Sequence, residues 1–181
     1  MKNTYRSPSR LLSPDYMFPT FEEIAPEWLL SQGIRALLID IDNTIAPYEQ
    51  DEPDERALAW FSSLKKAGIS AAFISNNHAP RVELFNRTLG LPAYPDAKKP
   101  SRRALLAAMA EMGAEPTQTA GLGDQLLTDT LAVHRLGIRS IIVPPIRDKR
   151  TLFFRFKRLL ERPFLRRYRK LHPENQSITK G

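Results

Sequence analysis

The chain contains no cysteine, which excludes disulfides, thiolate metal sites and cysteine nucleophiles and leaves any chemistry to oxygen and nitrogen groups. Histidine is nearly absent as well: His78 and His134 each stand alone in a chain with three in total, and isolated histidines are assigned no chemistry here. Long apolar runs are missing, since no window approaches the length a membrane-spanning helix needs. Near the start, Arg6 and Arg10 are followed by no apolar stretch, and Pro8, Pro14 and Pro19 interrupt the segment, so no secretory signal is expected. These absences point to a protein of the reducing cytosol, held at most on the inner face of a membrane.

What is present suffices for one domain: 181 residues with 42% hydrophobic content can bury a real core. The net charge of +7 is concentrated. From Arg147 to Lys170 there are eleven Lys or Arg against Asp148 and Glu161, an excess of nine, so the remainder is weakly acidic at −2. Three parts are expected: a proline-rich lead-in over residues 1–33 packed on the core through Phe18, Phe21, Ile24 and Trp28; a core over 34–146; and a basic amphipathic segment over 147–181.

Within the core, Ala36 to Ile41 is a continuous apolar run ending in acid, the look of a strand buried on both faces. Three more strands are expected at Ile69 to Ile74, Thr119 to Leu122 and Ser140 to Val143. Helices are expected between Pro53 and Gly68, over Val82 to Leu89, from Arg102 to Met112 with Ser101 as N-cap and Gly113 as terminator, and over Leu126 to Leu136. The alternation predicts an α/β fold, a mostly parallel sheet with helices on both faces. In such sheets ligands bind beyond the carboxyl ends of the strands, where Asp40, Ser75 and Asp124 all fall.

Asp40 and Asp42 place two carboxylates where an apolar strand opens into a loop. Such acids repel unless a proton or cation intervenes, and a hard cation such as Mg²⁺ satisfies both. Taken singly, Asp42-Asn43-Thr44 reads equally as a turn, Ser75 as a helix cap, Lys99 as a solvated charge and Gly123-Asp124 as a bend. Taken together and in this order, Asp40 and Asp42, then Ser75, then Lys99 before Pro100, then Gly123-Asp124 with Asp129, the chain resembles the haloacid-dehalogenase-like (HAD) phosphohydrolases.

That resemblance implies a three-layer, Rossmann-like fold and a Mg²⁺-dependent phosphatase. Asp40 would be the nucleophile and Asp42 the general acid and base, with its backbone carbonyl reaching the metal. Lys99, rather than the adjacent Lys98, would offset charge on Asp40 and the phosphoryl group. Thr44, Ser75 and the backbone near Asn76 would bind substrate, Asp124 would complete the metal shell, and Asp129 would orient it.

About thirty residues separate Thr44 from Ser75 and about two dozen separate Ser75 from Lys99, room for one helix each and no cap domain. An open site admits phosphate carried on a protein, a nucleic acid or a lipid headgroup. In the basic segment, Leu152, Phe153, Phe156, Leu159 and Leu160 can share one helical face with Arg155, Lys157, Arg158 and Arg162 opposite. This pattern fits both an anionic membrane surface and a helix docked on the domain with a solvated basic side.

From Leu12-Ser-Pro-Asp-Tyr16 to about Arg150 the chain is similar to the small capless branch containing phosphatidylglycerophosphate phosphatases. That likeness implies this phospholipid as substrate. The alternatives are a phosphatase of phosphoproteins or nucleic-acid ends, a receiver-like module phosphorylated without turnover, and an RNA-binding module using the basic tail.

Overall fold

The computed structural model describes residues 8–147 and 152–172, with side chains described from Arg10 and, in the second segment, from Leu159. After a short helix α1 (Pro8–Leu11) come strand β1 (Tyr16–Met17) and helix α2 (Pro26–Ser31), then β2 (Ala36–Ile39), α3 (Glu55–Lys66), β3 (Ser70–Ile74) and α4 (Ala79–Asn86). The chain continues through β4 (Ala93–Tyr94), α5 (Arg103–Met112), β5 (Thr119–Gly123), a π-helical turn at Leu126–Thr130 leading into α6 (Leu131–His134), β6 (Arg139–Ile142) and α7 (Leu152–Leu171).

The strands form one parallel sheet in the order β1-β6-β5-β2-β3-β4. Side chains alternate across it. Leu37 and Ile39 of β2 and Phe73 of β3 point into one core with Trp60, Phe61 and Phe85, whereas Leu38, Ala72 and Ile74 meet Leu105, Met109 and Val133 on the other face. This explains why these strands read as unbroken apolar runs, and it makes the fold the expected three-layer, Rossmann-like sandwich. One connecting helix follows each of β2 and β3, and the described residues contain no cap domain.

Edge-to-face aromatic contacts run through the first core: Phe21 to Trp60 (5.3 Å), Trp60 to Phe61 (5.1 Å), Phe61 to Phe73 (5.5 Å) and Phe73 to Phe85 (5.8 Å). Trp60 also donates its indole N–H to the Ile24 carbonyl at 2.9 Å, fastening the lead-in to α3. The lead-in is more than a cover. Its residues Tyr16–Met17 form an edge strand beside β6, and buried His134 reaches back to the Leu11 carbonyl at 3.0 Å and Asp15 Oδ2 at 2.9 Å.

Two expected helix starts differ. Helix α4 begins three residues before Val82 because Pro80 falls in its first turn, where a missing N–H costs nothing. Helix α5 has Arg102 at its cap position with near-helical backbone angles, and Ser101 Oγ accepts only a long 3.5 Å contact from Arg103 N, so Ser101 is not an effective N-cap. Gly113 does end this helix, at φ +62°.

Helix α7 docks through Phe164, Leu165 and Tyr168, which meet Leu12, Met17, Leu126 and Ile142. Its buried Glu161 accepts from Leu127 N at 3.1 Å. Leu159 and Leu160, with Arg162, Arg166, Arg167 and Lys170, remain exposed. The side chains of Leu152, Phe153, Arg155, Phe156, Lys157 and Arg158, which complete the expected amphipathic faces, lie outside the described residues.

Candidate active site

Strand order reverses around β2: β3 follows on one side, and the chain later crosses to β5 on the other. The carboxyl end of β2 therefore faces a crevice between diverging connections. Asp40 stands there, one residue past β2. Ser75 ends β3 in the same way, Asp124 ends β5, and Lys99 arrives from the loop after β4. The four segments expected to converge do so.

Asp40 is buried and held on both oxygens. Lys99 Nζ donates to Oδ1 at 2.6 Å and Thr44 Oγ1 donates to Oδ2 at 3.0 Å. The same ammonium lies 2.6 Å from Asp129 Oδ1. Asp129 Oδ2 accepts from Gln125 N at 3.1 Å, and Asp124 Oδ1 accepts from the Gln125 amide at 3.2 Å. Carboxylate oxygens of Asp40, Asp124 and Asp129 all lie within 4.8 Å of one another.

A close approach makes this cluster possible. A Cβ added to Gly123 would fall 2.4 Å from Asp129 Cγ, so the carboxylate rests directly on the glycine backbone. The π-helical turn matters too, because it brings Asp129 N and Thr130 N onto one carbonyl, that of Gln125, at 3.0 and 3.3 Å.

The charge balance is unfavourable for the acids alone. The Asp40 carboxyl is raised to about 7: burial raises it most, Lys99 pulls it back, and Asp129 and Asp42 add to the rise. Burial lowers the Lys99 ammonium, but Asp129 and Asp40 more than offset this and leave it above the ordinary lysine range, hence charged. One cation against three clustered carboxylates leaves an excess of negative charge on oxygen donors only. This donor set fits a hard divalent cation.

Asp42 is buried at the cleft but turns its carboxylate away from that cluster. Oδ2 accepts from the Asn77 amide at 2.9 Å, and Oδ1 lies 3.2 Å from Arg81 Nη2. A metal-ligating role for the Asp42 carboxylate is therefore not supported by its geometry, and only the backbone carbonyl remains for that purpose. Thr44 also differs from expectation: it is 1% exposed and gives its hydroxyl to Asp40, so it orients that carboxylate and does not face substrate.

Ser75 lies in the cleft and its Oγ accepts from Asn77 N at 3.0 Å. The Asn76 side chain spans to the backbone of Lys99, with Lys99 N to Oδ1 at 2.6 Å, and so braces the lysine loop. Lys98 is exposed, which identifies Lys99 as the lysine of the cluster.

Above these groups opens a polar cleft of about 290 Å³, lined by Asp40, Asp42, Ser75, Asn76 and Lys99 together with Tyr48, Asn77, Gln125 and Thr128. The last four carried no sequence signal except Asn77, whose position beside Ser75 and Asn76 could have marked it. Burial, and then the field of Asp40, Asp42, Asp124 and Asp129, raises the Tyr48 phenol beyond its ordinary range, so it stays protonated as a donor.

A family model of haloacid dehalogenase-like hydrolases matches residues 9–137. The chain belongs to this family. The probable phosphatase YqeG of Bacillus subtilis (strain 168) is 34% identical over 152 residues, 84% of this chain and 88% of that protein. A crystal structure of an uncharacterized protein from Listeria monocytogenes serotype 4b shares the fold, with a TM-score of 0.51 at 14% identity over 65% of this chain and 85% of that one. The cobalt-bound deoxy-D-mannose-octulosonate 8-phosphate phosphatase (YrbI) from Haemophilus influenzae gives a TM-score of 0.49 at 15% identity, over 83% and 95%. Family membership makes this haloacid dehalogenase-like chain a hydrolase, and the relationship to YqeG supports a phosphatase.

Proposed function

We propose that this chain is a Mg²⁺-dependent phosphomonoesterase that works through an aspartyl-phosphate on Asp40 and converts phosphatidylglycerophosphate to phosphatidylglycerol. The observation that carries the mechanism is the Asp40 carboxylate held between Lys99 and Thr44 at the floor of an open polar cleft. Asp40 and Asp124 would hold the cation, with Asp129 beside them. When bound, that cation would offset charge on the phosphoryl oxygens and on Asp40.

In the first half-reaction a carboxylate oxygen of Asp40 forms a bond to phosphorus as the ester P–O bond breaks. The departing alkoxide takes a proton from the Asp42 carboxyl. In the second, water attacks the aspartyl-phosphate and gives its proton to Asp42. Inorganic phosphate leaves and the Asp40 carboxylate is restored. Lys99 and the Ser75 hydroxyl face the phosphoryl group and stabilise its charge in both steps.

The lipid assignment rests on access and charge, together with the likeness to the capless phosphatidylglycerophosphate phosphatases. The cleft is open, and Glu161 ties α7 to Leu127, between the cleft residues Gln125 and Thr128. The exposed Leu159 and Leu160 and the arginines at 162, 166 and 167 thus belong to an element fixed beside the cleft rim. Apolar and basic groups on one helix suit an anionic membrane surface, each basic residue adding about 1 kcal/mol there. No described helix is long and apolar enough to cross a membrane, so the attachment we propose is peripheral, on the cytoplasmic face.

Steady-state phosphate release tests both levels, using phosphatidylglycerophosphate in mixed micelles beside soluble phosphate esters, a phosphopeptide and a 5′-phosphorylated oligonucleotide. Turnover of the lipid that needs Mg²⁺ and disappears in Asp40→Asn is expected. Faster turnover of the soluble substrates would overturn the lipid assignment; one phosphoryl group transferred to each chain, with no phosphate released, would overturn the phosphatase.

A further inference from the structure

Arg81 lies on α4, behind Asp42 and outside the residues that line the cleft, with a largely buried side chain. Its Nη2 is 3.2 Å from Asp42 Oδ1 and 3.5 Å from the Pro47 carbonyl, and the guanidinium lies over the Phe85 ring at 5.1 Å. Nε and Nη1 are buried without hydrogen-bond partners. A buried guanidinium with idle N–H groups lowers stability. Among the described residues its one ion pair is with Asp42, so core stability alone gives little reason for an arginine here.

The geometry points to Arg81 as a positioning residue for acid–base transfer by Asp42. The two oxygens of Asp42 are treated differently. Oδ2 is occupied by a directional hydrogen bond from Asn77, whereas Oδ1 is close to the guanidinium yet accepts no aligned hydrogen bond. Oδ1 is itself buried, so Arg81 fixes it by charge, and together with the Asn77 bond to Oδ2 this sets the orientation of the Asp42 carboxyl group at the cleft. Pro47, which also contacts Arg81, precedes the cleft residue Tyr48, so the guanidinium supports the loop that carries Asp42 as well as its carboxylate.

This inference rests on the acid–base role proposed for Asp42, and the experiment separates the two. Wild type, Arg81→Gln, Arg81→Lys, Asp42→Asn and the Arg81→Gln/Asp42→Asn double variant are compared on glycerol 3-phosphate and p-nitrophenyl phosphate with saturating MgCl₂. An alkyl leaving group needs a proton and a nitrophenolate does not. Loss of positioning should lower kcat/KM for the alkyl ester about 10- to 100-fold, within what general acid catalysis supplies. The fall for the aryl ester should be at least about tenfold smaller.

On the aryl ester kcat and KM should fall together, with a burst of one p-nitrophenol per chain, because hydrolysis of the intermediate still needs Asp42 as base. Arg81→Lys keeps the charge and should recover part of the loss. The double variant should be little worse than Asp42→Asn, since residues acting through one another are not additive. Equal falls on both esters, or a full further loss in the double variant, would overturn the positioning role while Asp42→Asn remains selective. Absence of selectivity in Asp42→Asn itself would overturn the acid–base reading, and this inference with it.

Discussion

Removing the cation of the site exposes how much repulsion it holds in check. In Lys99→Met a side chain of similar length replaces an ammonium that lies 2.6 Å from both Asp40 and Asp129 in a buried setting. Deleting one partner of a buried ion pair costs about 3–5 kcal/mol, and for a chain of this size each kcal/mol moves the melting point by about 2–4 °C. A fall of about 6–20 °C is therefore expected in EDTA.

The loss should depend on pH, with a definite sign. The Asp40 carboxyl sits near 7 in the folded protein although Lys99 pulls it down, so without Lys99 it rises further. A raised acid pKa means the folded state holds the proton when the unfolded state has lost it. Stability from this group is full below about 4 and falls as pH rises through 7, by about 1.4 kcal/mol per unit across the window. The variant should thus be least impaired near pH 5 and most impaired near pH 8, and MgCl₂ should restore more stability at pH 8 than at pH 5. Thermal unfolding by circular dichroism, with and without Mg²⁺, measures this directly. A deficit that shrinks as pH rises, or that Mg²⁺ leaves untouched at pH 8, would refute the reasoning.

Other perturbations probe separate parts of the molecule. Gly123→Ala places a methyl 2.4 Å from Asp129 Cγ and should reduce kcat by about 10²-fold or more through displacement of the carboxylate, seen in phosphate release. Thr44→Val removes the hydroxyl donor to buried Asp40 and should cost about 1–3 kcal/mol of stability in urea titration as well as lowering kcat. Glu161→Ala strands the Leu127 N–H and should loosen α7 at a cost of about 1–3 kcal/mol, registered as faster amide exchange at Leu127. Phe73→Ala, which removes the ring between Phe61 and Phe85, should cost about 3–5 kcal/mol in the same titration.

Much of the fold was legible because its central strands are buried on both faces, so that Leu37-Leu38-Ile39 and Ala71-Ala72-Phe73-Ile74 had to be apolar throughout. The edge strands Tyr16–Met17 and Ala93–Tyr94 were not, since two residues carry no periodicity and their pairing is fixed by neighbours distant in sequence. At the site, Asp40 and Asp124 could be named because charge next to an apolar strand end is chemically conspicuous, whereas Lys99 could be named only through the family resemblance, as the lysine before Pro100. Arg81 and Tyr48 could not, because their positions depend on how α4 and the loop after Asp42 pack. Thr44 was assigned to substrate for want of knowing which way its hydroxyl turns. For α7, periodicity left docked and interfacial readings level, and the structure shows one face docked with basic and apolar residues still outward.

The site gathers side chains from four distant stretches of the chain onto one end of a single sheet, and no stretch holds enough of them to act alone. Rupture of the sheet anywhere between β3 and β5 scatters the whole set. Hydrolytic rate should then report the native population during unfolding, fading in step with the spectroscopic signal and leaving no weakly active fragment behind.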